Sequence, residues 1–294
     1  MNLRRIIQEF IRTQREFIQY QLEGRRIHDS LDTVDTRRLY QEVHENAEPC
    51  FVLSTGRCGT QLLNDIFNVH NQLKSYHNPV PELIYYSGYA YQYHTTRADE
   101  LSRVVDAARY EYIRDTYLLG KHFMETNNRI TFFAYQLAEL YPRARFIHVI
   151  RNPLDFVRSG LGREWYSGNH PHDEGRIVPG ENQAIDWDGY SLVKKIAWLW
   201  DETNRFIEGF KEGVDPKRLC TITAEHLFSS VADVERIFQF LEVDSLPVRK
   251  IRKHLRRPAN VSRRSYSLDS ADQNEIQQVI SRSSIAEKYG YGYS

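Results

Sequence analysis

The sequence predicts an α/β protein built on a doubly wound, mainly parallel sheet flanked by helices. Three observations predict it. Cys50–Ser54 is a short apolar run, small residues follow from Thr55 to Gln61, and Leu62, Leu63, Ile66 and Phe67 then recur at helical spacing, which reads as strand, loop, helix. Lys121–Glu125 and Arg145–Ile150 are two more strand-like runs, with a helical stretch from Arg129 to Tyr141 between them that Pro142 ends. That return is about 20 residues long, the length of a parallel crossover rather than a hairpin.

Residues 1–22 place Leu3, Ile6, Ile7, Phe10, Ile11, Phe17, Ile18 and Leu22 at near-helical intervals, with Arg4, Arg5, Arg12 and Arg15 between them. Such a basic amphipathic helix either docks on its own domain or makes weak contact with a membrane surface. Residues 23–48 are charged and polar and read as a connector. Residues 1–47 are thus set apart from one domain over 48–294. After Arg145–Ile150, Asn152 is placed to cap a helix opened by Pro153, whose missing N–H costs nothing at that position. Residues 163–190 are rich in Gly, Pro, His and Asp and carry Trp165, Tyr166 and Trp187, the make-up of an ordered lid or binding loop. Leu192–Phe210 reads as a helix, Arg218–Thr223 as a strand, Val231–Leu241 as a helix and Asp272–Tyr289 as the last helix.

Composition narrows the function classes. With 41% hydrophobic and 27% charged residues among 294, disordered and collagen-like chains are excluded. Lys plus Arg equals Asp plus Glu at 39 each, so no global field draws nucleic acid or a membrane, and any anion site has to be built locally. No stretch approaches the ~20 apolar residues of a membrane span, and the N-terminus lacks the apolar run of a secretory signal, so a cytoplasmic location is expected. Cys50, Cys58 and Cys220 are odd in number and lack C-x-x-C spacing, so neither a disulfide nor a metal site is expected.

The loop from Thr55 to Gln61 is the first chemical signal. Gly56 and Gly59 let successive N–H groups and the next helix N-terminus converge on one anion, although a glycine turn between strand and helix also serves as a plain tight connection. A nucleoside-triphosphatase loop would carry Lys before the Ser or Thr, and here Gly59 is followed by Thr60 and Gln61. A tyrosine-phosphatase loop fails too, because Cys50 and Arg57 are one residue too far apart. The second signal is Arg151 at the end of the 145–150 strand with Ser159 about two turns into the next helix. Both can face one crevice and hold a second phosphate, the Arg through its planar fork.

At these residues the sequence resembles the sulfotransferases that use 3′-phosphoadenosine-5′-phosphosulfate (PAPS). Phe51–Leu63 is similar to the family's 5′-phosphosulfate loop and Phe146–Ser159 to its 3′-phosphate motif, and they stand in the family's order. Weaker echoes are Tyr141–Arg145, Thr223–Leu227 and Lys288–Tyr291, so the similarity covers about residues 48–291. The resemblance implies a P-loop-like sulfotransferase fold, with Arg57, Cys58, Gly59, Thr60 and Gln61 on the 5′-phosphosulfate and Arg151 and Ser159 on the 3′-phosphate. It also implies that no metal is required. Arg57 is the candidate cation for the charge that builds on the departing nucleotide.

The acceptor hydroxyl has to lose a proton, and there the sequence departs from the family. Many relatives carry a Glu about twenty residues after the loop, where Asn78 stands in this chain. His77 is the first candidate base, Glu82 the second and Glu125 the third; relatives often carry Lys where this chain has Thr126. Tyr85, Tyr86, Tyr89, Tyr91 and Tyr93 either line an acceptor site or pack in the ordinary way. The basic run from Arg249 to Arg264 is either a solvated helix face or, as the resemblance implies, a segment that closes on the 3′-phosphate with Arg256, Arg257 and Arg263. Cys58 reads as a small residue that fits the loop; the alternative is a thiol whose pKa Arg57 lowers, open to oxidation. Three functions follow: PAPS-dependent transfer to a small-molecule, glycan or lipid acceptor, an atypical P-loop kinase, or a nucleotide-binding protein without catalysis. Nucleic-acid binding is not expected, since no recognisable motif accompanies the basic run.

Overall fold

Five strands, β1 (Cys50–Ser54), β2 (Leu73–Tyr76), β3 (His122–Glu125), β4 (Arg145–Ile150) and β5 (Leu219–Thr223), pair in parallel in the order β2-β3-β1-β4-β5. The structure is a computed structural model and describes residues 3–32, 34–169, 172–180, 183–256 and 266–292. Apolar side chains leave the central strands on both faces. Phe51 and Leu53 of β1, with Phe146 and Ile150 of β4, enter one core, while Cys50, Val52, Ile147 and Val149 enter a second. This two-sided burial is why β1 and β4 read as continuous apolar runs.

Helices cover both faces, as the doubly wound reading requires. On the first face lie α2 (Thr36–Asn46), α5 (Ala98–Leu118), α6 (Ala134–Leu140), α7 (Pro153–Leu161), α8 (Leu192–Glu212), α12 (Ser270–Ile280) and α13 (Ile285–Lys288), with α4 (Ile84–Tyr93) at its edge. The second face carries α3 (Thr60–Phe67), α9 (Ala224–Ser229), α10 (Val231–Phe240) and α11 (Val248–Leu255). Strand order reverses at β1, whose neighbours are β3 and β4, so a crevice opens at the carboxyl ends of these strands.

Several elements differ from the sequence reading, each for a local reason. The connector is helical: α1 (Leu3–Leu31) runs through it, and α2 is capped by Asp35. Glu23 ties α1 to the sheet edge through Lys74 at 2.6 Å and Lys121 at 3.1 Å, while Phe17, Ile18, Tyr20 and Leu22 remain exposed. Among the described residues no helix is long and apolar enough to cross a membrane. The helix expected from Arg129 opens instead as a 3₁₀ turn, Asn128–Phe133, because Thr131 exchanges hydrogen bonds with the Ser54 backbone and pins the turn to the end of β1. The last helix is split between α12 and α13 where the Ser283 hydroxyl donates to Asp201.

Candidate active site

Three residues of the loop after β1 take left-handed backbone conformations: Gly56 at φ 81°, Arg57 at φ 59° and Gly59 at φ 93°. They curl the chain into a concave cradle. A Cβ on Gly59 would lie 2.9 Å from Phe228, so only glycine fits, and the N-terminus of α3 follows without a side-chain cap. For Arg57 the left-handed region costs about 1–2 kcal/mol, and neighbours hold it there. Its carbonyl accepts from Arg151 at 2.8 Å, and its Nε donates to Ser159 at 3.1 Å.

Arg151 is aimed by the start of α7. Asn152 caps that helix by accepting from the Leu154 N–H at 2.9 Å, and its own N–H donates to Glu225 at 3.0 Å. Tyr291 donates to the other Glu225 oxygen at 2.7 Å, and Trp200 Nε1 donates to the Arg151 carbonyl at 2.8 Å. Two of the three weaker sequence echoes, Thr223–Leu227 through Glu225 and Lys288–Tyr291 through Tyr291, thus brace the turn that carries Arg151.

Loop, α7 and the ends of β2 and β3 enclose a cavity of about 790 Å³, lined by six arginines (57, 129, 151, 158, 163 and 176) against the carboxylates Glu82 and Asp155. A chain of zero net charge thus gathers an excess of cations around one cavity. Burial, then the nearby Arg163 and Arg151, bring the Arg57 guanidinium down to about 10, the mark of cations crowded together. The cavity brings together Arg57, Gly59, Thr60, Gln61, His77, Glu82, Arg151 and Ser159, all named from sequence. Arg129, Arg158, Arg163 and Arg176 were missed. Arg158 lies inside the second motif and Arg129 just past the end of β3, where the strand-end rule would have found it.

His77 is half-buried, and its Nδ1 sits 3.1 Å from the Thr126 carbonyl and 2.9 Å from the Thr126 hydroxyl. A carbonyl only accepts, so Nδ1 carries the proton in the neutral ring and Nε2 keeps its lone pair, with no hydrogen-bond partner among the described residues. Burial holds the imidazole below its usual pKa, against the pull of the Thr126 hydrogen bond. Glu82 lines the same wall but is ion-paired with Arg129.

Other expectations are corrected. Glu125 lies outside the cavity, fully buried, with one oxygen 2.6 Å from Arg109 Nε and the other 2.9 Å from its NH2, so no acceptor hydroxyl reaches it. The Cys58 side chain turns into the second core, and burial raises its thiol to about 11, the opposite of activation. Arg256 ends α11 exposed and outside the cavity lining. Arg257 and Arg263 lie outside the described residues. From α4 the cavity takes Ser87 and none of the tyrosines; Tyr85, Tyr86 and Tyr93 are exposed and Tyr91 is buried against Phe132 and Trp198. Trp165 packs on Phe156 with Arg176 stacked 4.1 Å over its ring and lines the cavity beside Arg176 and Ile177, whereas Trp187 is half-buried against Trp198, outside the lining.

A parallel α/β sheet with a glycine cradle and an arginine-lined cavity at its switch point is the frame on which comparison with known proteins bears. Residues 49–247, more than half of the chain, match the model of the Sulfotransferase family, and the chain belongs to that family. Among solved structures it is similar to the sulfotransferase domain from the curacin biosynthetic pathway, at TM-score 0.51 and 13% identity, covering 85% of this chain and 100% of that one. The sulfotransferase domain from the Synechococcus PCC 7002 olefin synthase gives TM-score 0.52 and 16% identity over 85% of this chain and 98% of that one. A sulfotransferase from Mycobacterium tuberculosis H37Rv gives 0.50 and 13% over 83% and 79%. At these identities the likeness is one of fold. No curated protein matches the sequence.

Proposed function

We propose that this sulfotransferase moves a sulfuryl group from PAPS to an acceptor hydroxyl or amine. The junction at Arg57 carries the reading: one side chain of the β1 loop donates to Ser159 of α7 while Arg151 holds its carbonyl, so the residues suited to the two phosphate ends of the donor meet in one cavity. The cavity fits such a donor in volume, in its excess of arginines, and in a cradle with no room for a side chain at Gly59.

In this assignment Arg57, Gly59, Thr60 and Gln61 hold the 5′-phosphosulfate, and Arg151 and Ser159 the 3′-phosphate. The donor supplies an activated sulfuryl group. As the acceptor oxygen–sulfur bond forms, the bond from sulfur to the phosphate oxygen breaks, and adenosine 3′,5′-bisphosphate leaves. Arg57 and the N–H groups opening α3 neutralise the charge that gathers on that oxygen. His77 Nε2 takes the acceptor proton, because its ring is neutral and its other nitrogen is anchored on Thr126. Thr126, the departure noted in the sequence, thereby orients the candidate base.

Melting the protein with ligands tests the donor. Adenosine 3′,5′-bisphosphate is expected to raise the Tm and ATP–Mg²⁺ is not. The reverse result would establish a kinase-like site, and binding without turnover of labelled PAPS across alcohols, phenols, glycans and lipid headgroups would leave a binding protein.

A further inference from the structure

Besides the Arg158–Asp155 ion pair, the Arg, Glu and His side chains of the cavity fall into two groups. Arg57, Arg151 and Arg163 influence one another around the β1 loop, whereas Glu82, Arg129, His172 and Arg176 form a second set that His77 adjoins. The lining also has members of another character. Phe132, Ile177 and Leu199 are each less than a tenth exposed, and Ser87 and Thr203 are as deeply buried. Leu199 and Thr203 lie one turn apart on the face of α8 that meets the cavity. Thr203 is 1% exposed, and its Oγ1 has no hydrogen-bond partner among the described residues. A hydroxyl removed from water without a partner is costly, and such a group beside a cavity marks where a ligand atom belongs.

The cavity is also walled on one side. A Cβ on Gly175 would lie 2.1 Å from the Ile84 carbonyl, and one on Gly88 would lie 3.6 Å from the Arg176 carbonyl. The start of α4 and the 175–177 segment therefore meet backbone to backbone, which closes the cavity wall at this place.

We propose that this chamber is the acceptor subsite and that it takes a compact alcohol or phenol, whose reacting hydroxyl lies at His77 and whose far end carries a hydrogen-bonding group for Thr203. The assignment rests on the sulfotransferase reading above. It gives the apolar walls a ring or short chain to cover, gives Thr203 its missing partner, and favours a compact occupant over a long glycan.

Isothermal titration without donor tests it, using 4-hydroxybenzyl alcohol and p-cresol, which share a shape and differ by one distal hydroxyl. The parent protein is expected to bind the first about 3- to 10-fold more tightly. Thr203→Val should abolish that preference and Thr203→Ser should keep it. A preference that survives Thr203→Val, no preference in the parent, no binding of either phenol, or tighter binding of maltohexaose than of both would each overturn the proposal. A parallel titration with adenosine 3′,5′-bisphosphate judges the donor assignment separately: its failure beside Thr203-dependent phenol binding sinks the donor reading and leaves the chamber standing.

Discussion

Arg57 is held by its neighbours and offered to the cavity at once, and substitutions can separate the two. Arg57→Ala is expected to lower turnover by on the order of 10²-fold or more, as for loss of one transition-state donor, while affinity for adenosine 3′,5′-bisphosphate falls much less. Equal losses in both would make it an anchor only. For Ser159→Ala the expectation is opposite: weaker binding of the bisphosphate, by roughly 1.5–3 kcal/mol for a charge-assisted bond, and little change for adenosine 5′-phosphosulfate, which has no 3′-phosphate. His77→Asn should cost about 10²–10⁴-fold in kcat. Because burial lowers the His77 pKa, the acid limb of the parent's kcat profile should lie below the usual imidazole value, and the variant should lose that limb. Residues whose chemistry depends on backbone neighbours, such as Arg57, Arg151 and Ser159, were legible in sequence. The cavity's remaining arginines were not, since an Arg on a loop reads the same whether the fold turns it to solvent or inward.

At the scale of elements, apolar periodicity recovered four of the five strands and the helices α3, α7, α8 and α10, passed over α2, α4, α5, α9 and α11, and failed where a side chain is spent on the backbone. Thr131 bonded to Ser54 makes a 3₁₀ turn from a segment with helical spacing, and Ser283 bonded to Asp201 breaks the last helix. β2, a short edge strand of four residues, was too brief to register. The 163–190 loop shows the same limit: its composition suits a binding loop, but only the fold shows that Trp165, Arg176 and Ile177 line the cavity, that 175–177 meets α4, and that Trp187 packs on Trp198 instead. Gly175→Ala puts a Cβ 2.1 Å from the Ile84 carbonyl and should force the two apart. A stability loss of about 1–3 kcal/mol is expected, as for other overpacked sites, together with a higher ratio of donor hydrolysis to transfer, because water enters where the wall opens. Unchanged partitioning would show that the wall excludes no water.

For the molecule as a whole, acid sensitivity is written into β4. His148 is 1% exposed, its Nε2 lies 2.9 Å from Asn204 Oδ1 and its Nδ1 2.8 Å from the Lys211 ammonium. An ammonium only donates, so Nδ1 accepts and the ring is neutral; a proton on Nδ1 would face Lys211 directly. Burial, reinforced by Lys211 and opposed by the Glu208 hydrogen bond, keeps its pKa below the usual value. The unfolded chain therefore binds a proton as pH falls through the ordinary imidazole range and the folded chain does not, so stability declines on acidification, by at most ~1.4 kcal/mol per pH unit for this one group. His44 works the other way. Burial lowers its pKa, but the hydrogen bonds to Asp106 and the Tyr40 carbonyl and the Asp106 charge together outweigh that and the net shift is upward, so its contribution is fully present below the ordinary imidazole value and is lost as pH rises through the folded one. His77 and His172 have the sign of His148, which leaves three groups against one and a net loss towards pH 5.5. Urea midpoints from pH 7.5 to 5.5 check this: the parent should lose stability steadily, and His148→Gln, less stable at pH 7.5, should lose less per unit. Parallel slopes for the two would place the proton uptake elsewhere in the molecule.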